Sequence, residues 1–255
     1  MTMYPFNGVW FAFVCTMAAL GLALHLALRH RRPAVQRKAL AALAGANIVF
    51  STVFTFDLIL DPAVYFPFTQ NLPFHFCTLM TFLLVPAVLF DFRPLRALVF
   101  FPGALTGFLA LISPGTVYQD RPMASLTTLF YVVHSLNAVI PVLIASLGFY
   151  RPTAKDGAKS MVYFTILGLA VLPVTVALRA WVDPKANYFY FFDPEGAEIL
   201  VAFHDVIGLP ILYEVPLVLA AVPVVMFQAV LFRGGGVLAR QADSVWVRLR
   251  GPATP

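Results

Sequence analysis

The residues able to do chemistry are few. His75 and Cys77 stand two apart in Leu72-Pro73-Phe74-His75-Phe76-Cys77, and His134 follows in Tyr131-Val132-Val133-His134. His204 and Asp205 are adjacent, while Asp57, Arg179 and Glu214 stand singly. A thiol paired with an imidazole suits acyl transfer: sulfur attacks a carbonyl, and the imidazole takes the proton and returns it to the leaving group. His75 cannot serve Cys77 directly, because residues two apart on a helix point to nearly opposite sides. A base must come from another helix, and His134 stands at a compatible depth. Thr127, Tyr131, His134 and Asn137 or Ala138 follow the three-and-four spacing of one helix face. Tyr131 and Asn137 are therefore candidates to orient His134 or to donate to an oxyanion. The same residues permit a second chemistry, in which His75, His134 and His204, with Asp57 or Asp205, bind a catalytic zinc. No HxxxH or HExxH motif supports it. Set against both readings, a lone buried cysteine commonly fills apolar space, and a buried histidine is commonly a hydrogen-bonded structural group.

The elements that must position these residues are membrane spans. The 255 residues are 60% hydrophobic and 11% charged, whereas soluble domains carry about 25% charged residues. Apolar stretches long enough to cross hydrocarbon fall at 6–28, 39–60, 72–90, 97–112, 126–149, 161–181 and 206–232. The fold class expected is an all-α polytopic membrane protein, a bundle of seven transmembrane helices in one domain over 1–232. A glycine-rich, then basic segment, 233–255, is expected as a flexible or surface-bound cytoplasmic tail. Cys15 and Cys77 both fall in apolar segments, so no disulfide framework is indicated.

Charge assigns the two sides. A basic run follows the first span, where a secretory signal would carry its charge in front. Alternating from an outside N-terminus, the cytoplasm receives Arg29, Arg31, Arg32, Arg37, Lys38, Arg93, Arg96, Arg151, Lys155, Lys159, Arg233, Arg240, Arg248 and Arg250. The outer loops receive Arg121 and Lys185. This positive-inside asymmetry accounts for the net charge of +5 and removes nucleic acid as a partner. It also places nearly every intramembrane polar residue in the outer half of the bilayer, the exception being His25. Such residues are costly in lipid and mark functional sites. The outer loop from Trp181 to Glu195, dense in aromatics, is expected to lie at the headgroup level as a cap over the bundle. Asn71 is a candidate cap for the third span, with Pro73 in its first turn. Asn47, Ser51 and Thr55 read as interhelical hydrogen-bonding groups, and Gly103 and Gly107 as a close helix contact. Pro210 and Pro216 mark the seventh span as bent.

Leu72-Pro73-Phe74-His75-Phe76-Cys77 resembles the Leu-Pro-x-His-x-Cys signature opening the third span of YwaF-like bacterial membrane proteins, relatives of transmembrane protein 164. The resemblance continues through His134-Ser135, Asn187-Tyr188 and Pro210-Ile211-Leu212-Tyr213-Glu214, over roughly residues 70–215. The tryptophans expected around the last motif are missing. The resemblance implies an acyltransferase moving fatty acyl chains between phospholipids, with its cysteine and histidine falling on Cys77 and His134. The function expected is a thiol-type acyltransferase or lipid hydrolase in the cell membrane, with membrane lipids as substrate and no cofactor. His75, Tyr131, Asn137, His204 and Asp57 are the expected supporting residues. The alternatives are the zinc-dependent lipid hydrolase and a transporter or receptor with an outward pocket and no catalysis.

Overall fold

Apolar residues on every face of a helix, rather than on one stripe, mean that the helix is surrounded by protein or lipid. The computed structural model describes residues 5–60, 69, 72–112, 128–195 and 198–250, with 198–199 and 236–250 described as backbone only. Among them there are helices and turns and no strand. The order is α1 (Gly8–Leu28), α2 (Pro33–Leu60), α3 (Phe76–Leu89), α4 (Arg93–Leu98), a π-helical turn (Val99–Gly103), α5 (Ala104–Ile112), α6 (Thr128–Ser146), α7 (Ala154–Trp181), α8 (Glu198–Ile207) and α9 (Val215–Arg250). Six described helical stretches are long and apolar enough to cross a membrane: α1, α2, α4 through α5, α6, α7, and Leu212–Gly235. The protein is an all-α membrane protein with several spanning helices.

The sixth helix forms the centre. It packs against α1, α2, α3 and α5, and Tyr131, His134, Ser135 and Asn137 are all buried. On the outside, α7 pairs with α9. The surface turned away from the bundle is apolar: Val49, Phe56, Val162, Ile166, Leu169, Leu219 and Phe227 are all exposed. No aqueous protein keeps such a belt, so lipid covers it.

One end collects the basic loops. Arg37 donates to the Leu89 carbonyl at 3.2 Å, and Arg233 to Pro152 at 3.0 Å. The Arg93 guanidinium holds both Asp156 carboxylate oxygens, at 3.0 and 2.7 Å. Arg96, expected in a loop, is buried within α4, where it donates to Ala87 at 3.1 Å and pairs with Asp91 and the Phe149 carbonyl. The opposite end carries the 182–195 loop and the start of α3.

Several expected boundaries move. The second and sixth spans begin earlier, at Pro33 and Ala154, so Arg37, Lys38, Lys155 and Lys159 ride on helix rather than loop. Their stems lie along the helix while their charges reach the interface. The third span begins at Phe76, with His75 at the N-cap position. Pro73 therefore sits in the turn before the helix, not in its first turn, and Asn71 lies outside the described residues. The expected seventh span, 206–232, is not one bent helix. Its chain breaks after Ile207 at Gly208 (φ +64°) and Ile211 (φ +67°), and then restarts. Pro216 falls in the first turn of α9, where its missing N–H leaves no bond unmade. Helix α9 runs on through the basic segment to Arg250.

Candidate functional site

Cys77 is the second residue of α3. Its thiol lies within hydrogen-bonding reach of the Thr106 hydroxyl on α5. Thr106 in turn donates to the Pro102 carbonyl at 2.9 Å. That carbonyl belongs to the π-helical turn, where the extra residue per turn accommodates the ring of Pro102 and turns the α5 face relative to α4. The wide turn thus presents Thr106 to α3. Gly103 and Gly107, one turn apart, make this possible by facing different neighbours. A Cβ on Gly103 would lie 3.1 Å from Met80 Sδ of α3; one on Gly107 would lie 2.8 Å from the His134 carbonyl oxygen of α6. Absence of side chains lets three helices converge at one level.

The convergence is fixed by a buried polar knot. Asn137 Nδ2 donates to the Cys77 carbonyl at 3.0 Å, and Asn47 Nδ2 of α2 donates to Asn137 Oδ1 at 2.9 Å. The Thr81 hydroxyl, one turn below Cys77, lies 3.0 Å from Asn137 Nδ2 and 3.1 Å from its Oδ1. Hydrocarbon offers these groups no other partner, so the knot sets the register of α2, α3 and α6. Asn137 belongs to the expected face of α6. Thr106 and Thr81 were missed by sequence reasoning. Thr81 had a legible signal, its spacing of four from Cys77; Thr106 had none, because the π-turn changes which residue faces α3.

One turn from Asn137, His134 is buried at 8% exposure. Its Nδ1 lies 2.7 Å from the Phe130 carbonyl, and its ring centroid 4.1 Å from that of Phe130. A ring nitrogen facing a carbonyl oxygen must carry the hydrogen, which leaves Nε2 with the free lone pair, the form a general base requires. Among the described residues no hydrogen bond joins the Cys77 thiol to His134; each is engaged with its own neighbour. Tyr131 is buried with a hydroxyl that has no partner among the described residues, and so is Ser135. Thr127, on the same expected face, lies outside the described residues.

The remaining candidates stand apart. His75 packs edge-on to Tyr188, centroids 5.1 Å apart, and against Tyr190 at 6.0 Å. His204 lies on α8, not at the entrance of a seventh span, with its ring 5.1 Å from that of Tyr213. Asp57 is half-buried near the end of α2. Among the described residues no three His, Cys, Asp or Glu side chains come together as metal ligands. The three histidines of the zinc alternative sit on different elements in separate aromatic surroundings.

Above Cys77 the 182–195 loop closes the end of the bundle. Part of its aromatic content turns inward. Tyr188, Phe189 and Phe191 are buried in the main core, with Phe189 5.8 Å from Phe76 and stacked on Phe191 at 5.6 Å. Asn187 clamps the loop, donating to the Asp193 carbonyl at 2.7 Å and to Glu195 at 3.0 Å while accepting from Phe192 N–H at 2.9 Å. The Tyr188 hydroxyl donates to the Thr69 carbonyl, and the Thr69 hydroxyl to Asp183. That hydrogen bond, with a second from the Lys185 N–H at 2.9 Å, holds the Asp183 carboxyl below the usual carboxylate range. Burial, and then the charge of Asp183, push the Tyr188 phenol up to about 12. Phe189 and Tyr190 have φ of +56° and +61°, strained for residues with a Cβ and held there by the packing.

The sequence profile of the TMEM164 family matches residues 3–232. No curated protein and no solved structure matches the chain.

Proposed function

Since this chain belongs to the TMEM164 family of membrane proteins, we propose that it is an acyltransferase or lipid hydrolase that works on phospholipid acyl esters through Cys77 and His134. The observation that carries this reading is the 3.0 Å hydrogen bond from Asn137 to the Cys77 carbonyl. It ties the helix bearing the imidazole to the residue bearing the thiol. The base-competent tautomer of His134 supports it further.

At rest the thiol is parked on Thr106. A lipid ester entering between α3 and α6 draws the sulfur toward the imidazole. His134 Nε2 takes the thiol proton, the sulfur bonds to the ester carbonyl carbon, and the resulting oxyanion accepts from the free hydroxyl of Tyr131. The ester C–O bond breaks, and His134 returns the proton to the departing lysolipid oxygen. In the second half, the hydroxyl of another lysolipid, or water, gives its proton to His134 and attacks the thioester. The Cys77 sulfur leaves and is reprotonated. Asn137 is a positioning residue in this scheme, and the aromatic plug of Phe76, Phe164, Phe189 and Phe191 keeps water away.

The protein resides in the cell membrane with seven spans, its N-terminus outside and its C-terminus in the cytoplasm. The gathering of basic loops at one end supports this orientation. The seventh span is α3, whose 14 residues extend about 21 Å from the aromatic plug to the Arg37 contact at Leu89. The site then lies beneath the outer headgroups, at the depth of ester carbonyls. The test is acyl exchange between labelled phosphatidylcholine and a lysolipid by purified protein in vesicles. Cys77→Ala and His134→Ala each abolish exchange on this reading; full retention by Cys77→Ala rejects it and leaves a binding protein.

A further inference from the structure

At the basic end, a cleft of about 190 Å³ opens between α4 and α7, lined by Arg93, Pro94, Ala97, Asp156, Lys159 and Tyr163. It is smaller than the roughly 300 Å³ at which pockets for soluble small molecules begin. Its charges are unevenly satisfied. Asp156 is saturated: Arg93 takes both its oxygens, while the Thr153 hydroxyl and N–H donate to one of them at 2.7 and 3.0 Å. Asp156 also closes the capping box that starts α7, so it is committed to the fold. Arg93 spends Nε and Nη2 on Asp156, with Nη2 also reaching the Arg151 carbonyl at 3.4 Å, and its Nη1 has no hydrogen-bond partner among the described residues. Lys159 stands one turn further along α7, exposed, with no carboxylate paired to it among the described residues. The cleft therefore holds one neutralised ion pair and one surplus cation, beside a phenol on an otherwise apolar wall.

We propose that this cleft binds the phosphate of an anionic phospholipid. The phosphate bridges Arg93 Nη1 and Lys159 Nζ and accepts from the Tyr163 hydroxyl. The glycerol and first methylenes lie on Pro94 and Ala97. The apolar wall, and the position beside a lipid-facing helix whose Val162 and Ile166 are exposed, favour a lipid over free phosphate. The occupant bridges α4 to α7 and braces the end of the bundle remote from Cys77. The site is independent of the proposed reaction.

The experiment is native mass spectrometry of the full chain in mixed micelles titrated with phosphatidylglycerol, with phosphatidylcholine of the same chains as comparison. The lipid class is decided by selective retention of phosphatidylglycerol. The location is decided by Lys159→Ala, which weakens that retention about fivefold, the worth of one lysine near an anionic headgroup. Lys155→Ala removes the same charge from an exposed position on the same helix outside the cleft and leaves retention unchanged. Tyr163→Phe lowers it without altering charge. Equal losses from Lys159→Ala and Lys155→Ala overturn the proposal, because the attraction is then that of the whole basic surface. Displacement of the lipid by millimolar inorganic phosphate overturns the lipid assignment.

Discussion

Asn137→Ala removes the centre of the polar knot. Asn137 has three partners: the Cys77 carbonyl, Asn47 and Thr81. Asn47 and Thr81 are buried and Cys77 is half-buried, and all lie on helices other than α6. Interhelical hydrogen bonds in membranes contribute about 0.6 kcal/mol each, so the loss is about 2 kcal/mol. An unpaired buried polar group in a water-soluble protein costs about 1–3 kcal/mol; three at that rate would cost about 3–9 kcal/mol, a large share of the roughly 5–15 kcal/mol that holds a domain folded. The smaller figure governs here, because Asn47 and Thr81 can turn to other carbonyls. For a chain of this length, about 2 kcal/mol lowers the melting temperature by about 4–8 °C. The assay is thermal unfolding in detergent, with the rate of Cys77 alkylation followed on the same samples. Faster alkylation accompanies the lower melting temperature, because the Cys77 carbonyl no longer holds α3 to α6. Asn47→Ala, which removes one partner, costs about a third as much. A melting temperature within 1 °C of the parent and unchanged alkylation would refute the claim that the knot sets helix register.

Other outcomes follow from the same geometry. Gly107→Ala places a Cβ 2.8 Å from a backbone oxygen, an overlap that costs about 1–3 kcal/mol; Gly45→Ala, whose Cβ meets nothing within 4 Å, keeps or raises the melting temperature. Asp183 has its carboxyl lowered in the folded state, so its contribution is complete above the ordinary carboxylate value of about 4 and is lost as pH falls through the lowered one. The melting-temperature difference between parent and Asp183→Asn is therefore full at pH 6 and shrinks below about pH 4; a difference that stays constant down to pH 3 contradicts the Thr69–Asp183 tie. Tyr131→Phe removes a hydroxyl with no partner among the described residues, so it leaves the melting temperature unchanged and lowers acyl exchange about 10²-fold or more, the usual worth of one oxyanion donor.

The membrane class was legible from composition, and the inward face of α6 from three-and-four spacing: Tyr131, His134 and Asn137 are all buried. Asn47 was likewise legible as an interhelical donor. The local departures from regular helix were not. Nothing in the sequence around Pro102 marks a π-turn; only packing decides that the turn widens there and swings Thr106 toward Cys77. The break at 208–211 reads as a bend in the sequence, because Pro210 and Pro216 stand within one long apolar stretch. The aromatic loop read as interfacial because its composition fits a headgroup layer as well as a plug; the clamp by Asn187 and the tie of Tyr188 to Thr69, which draw it into the core, are contacts across distant positions. The separate settings of His75, His134 and His204 were hidden for the same reason, since histidine count carries no information about convergence.

The most direct measurement is the mass of the Cys77 peptide after brief incubation of the protein with phosphatidylcholine carrying an isotope-labelled acyl chain, quenched in acid without a lysolipid acceptor. The account predicts that this peptide gains the mass of the labelled acyl group, loses it to hydroxylamine, and passes it on when lysolipid is added. Continued turnover with an unmodified Cys77 peptide, or with the label on another residue such as Cys15, would contradict it.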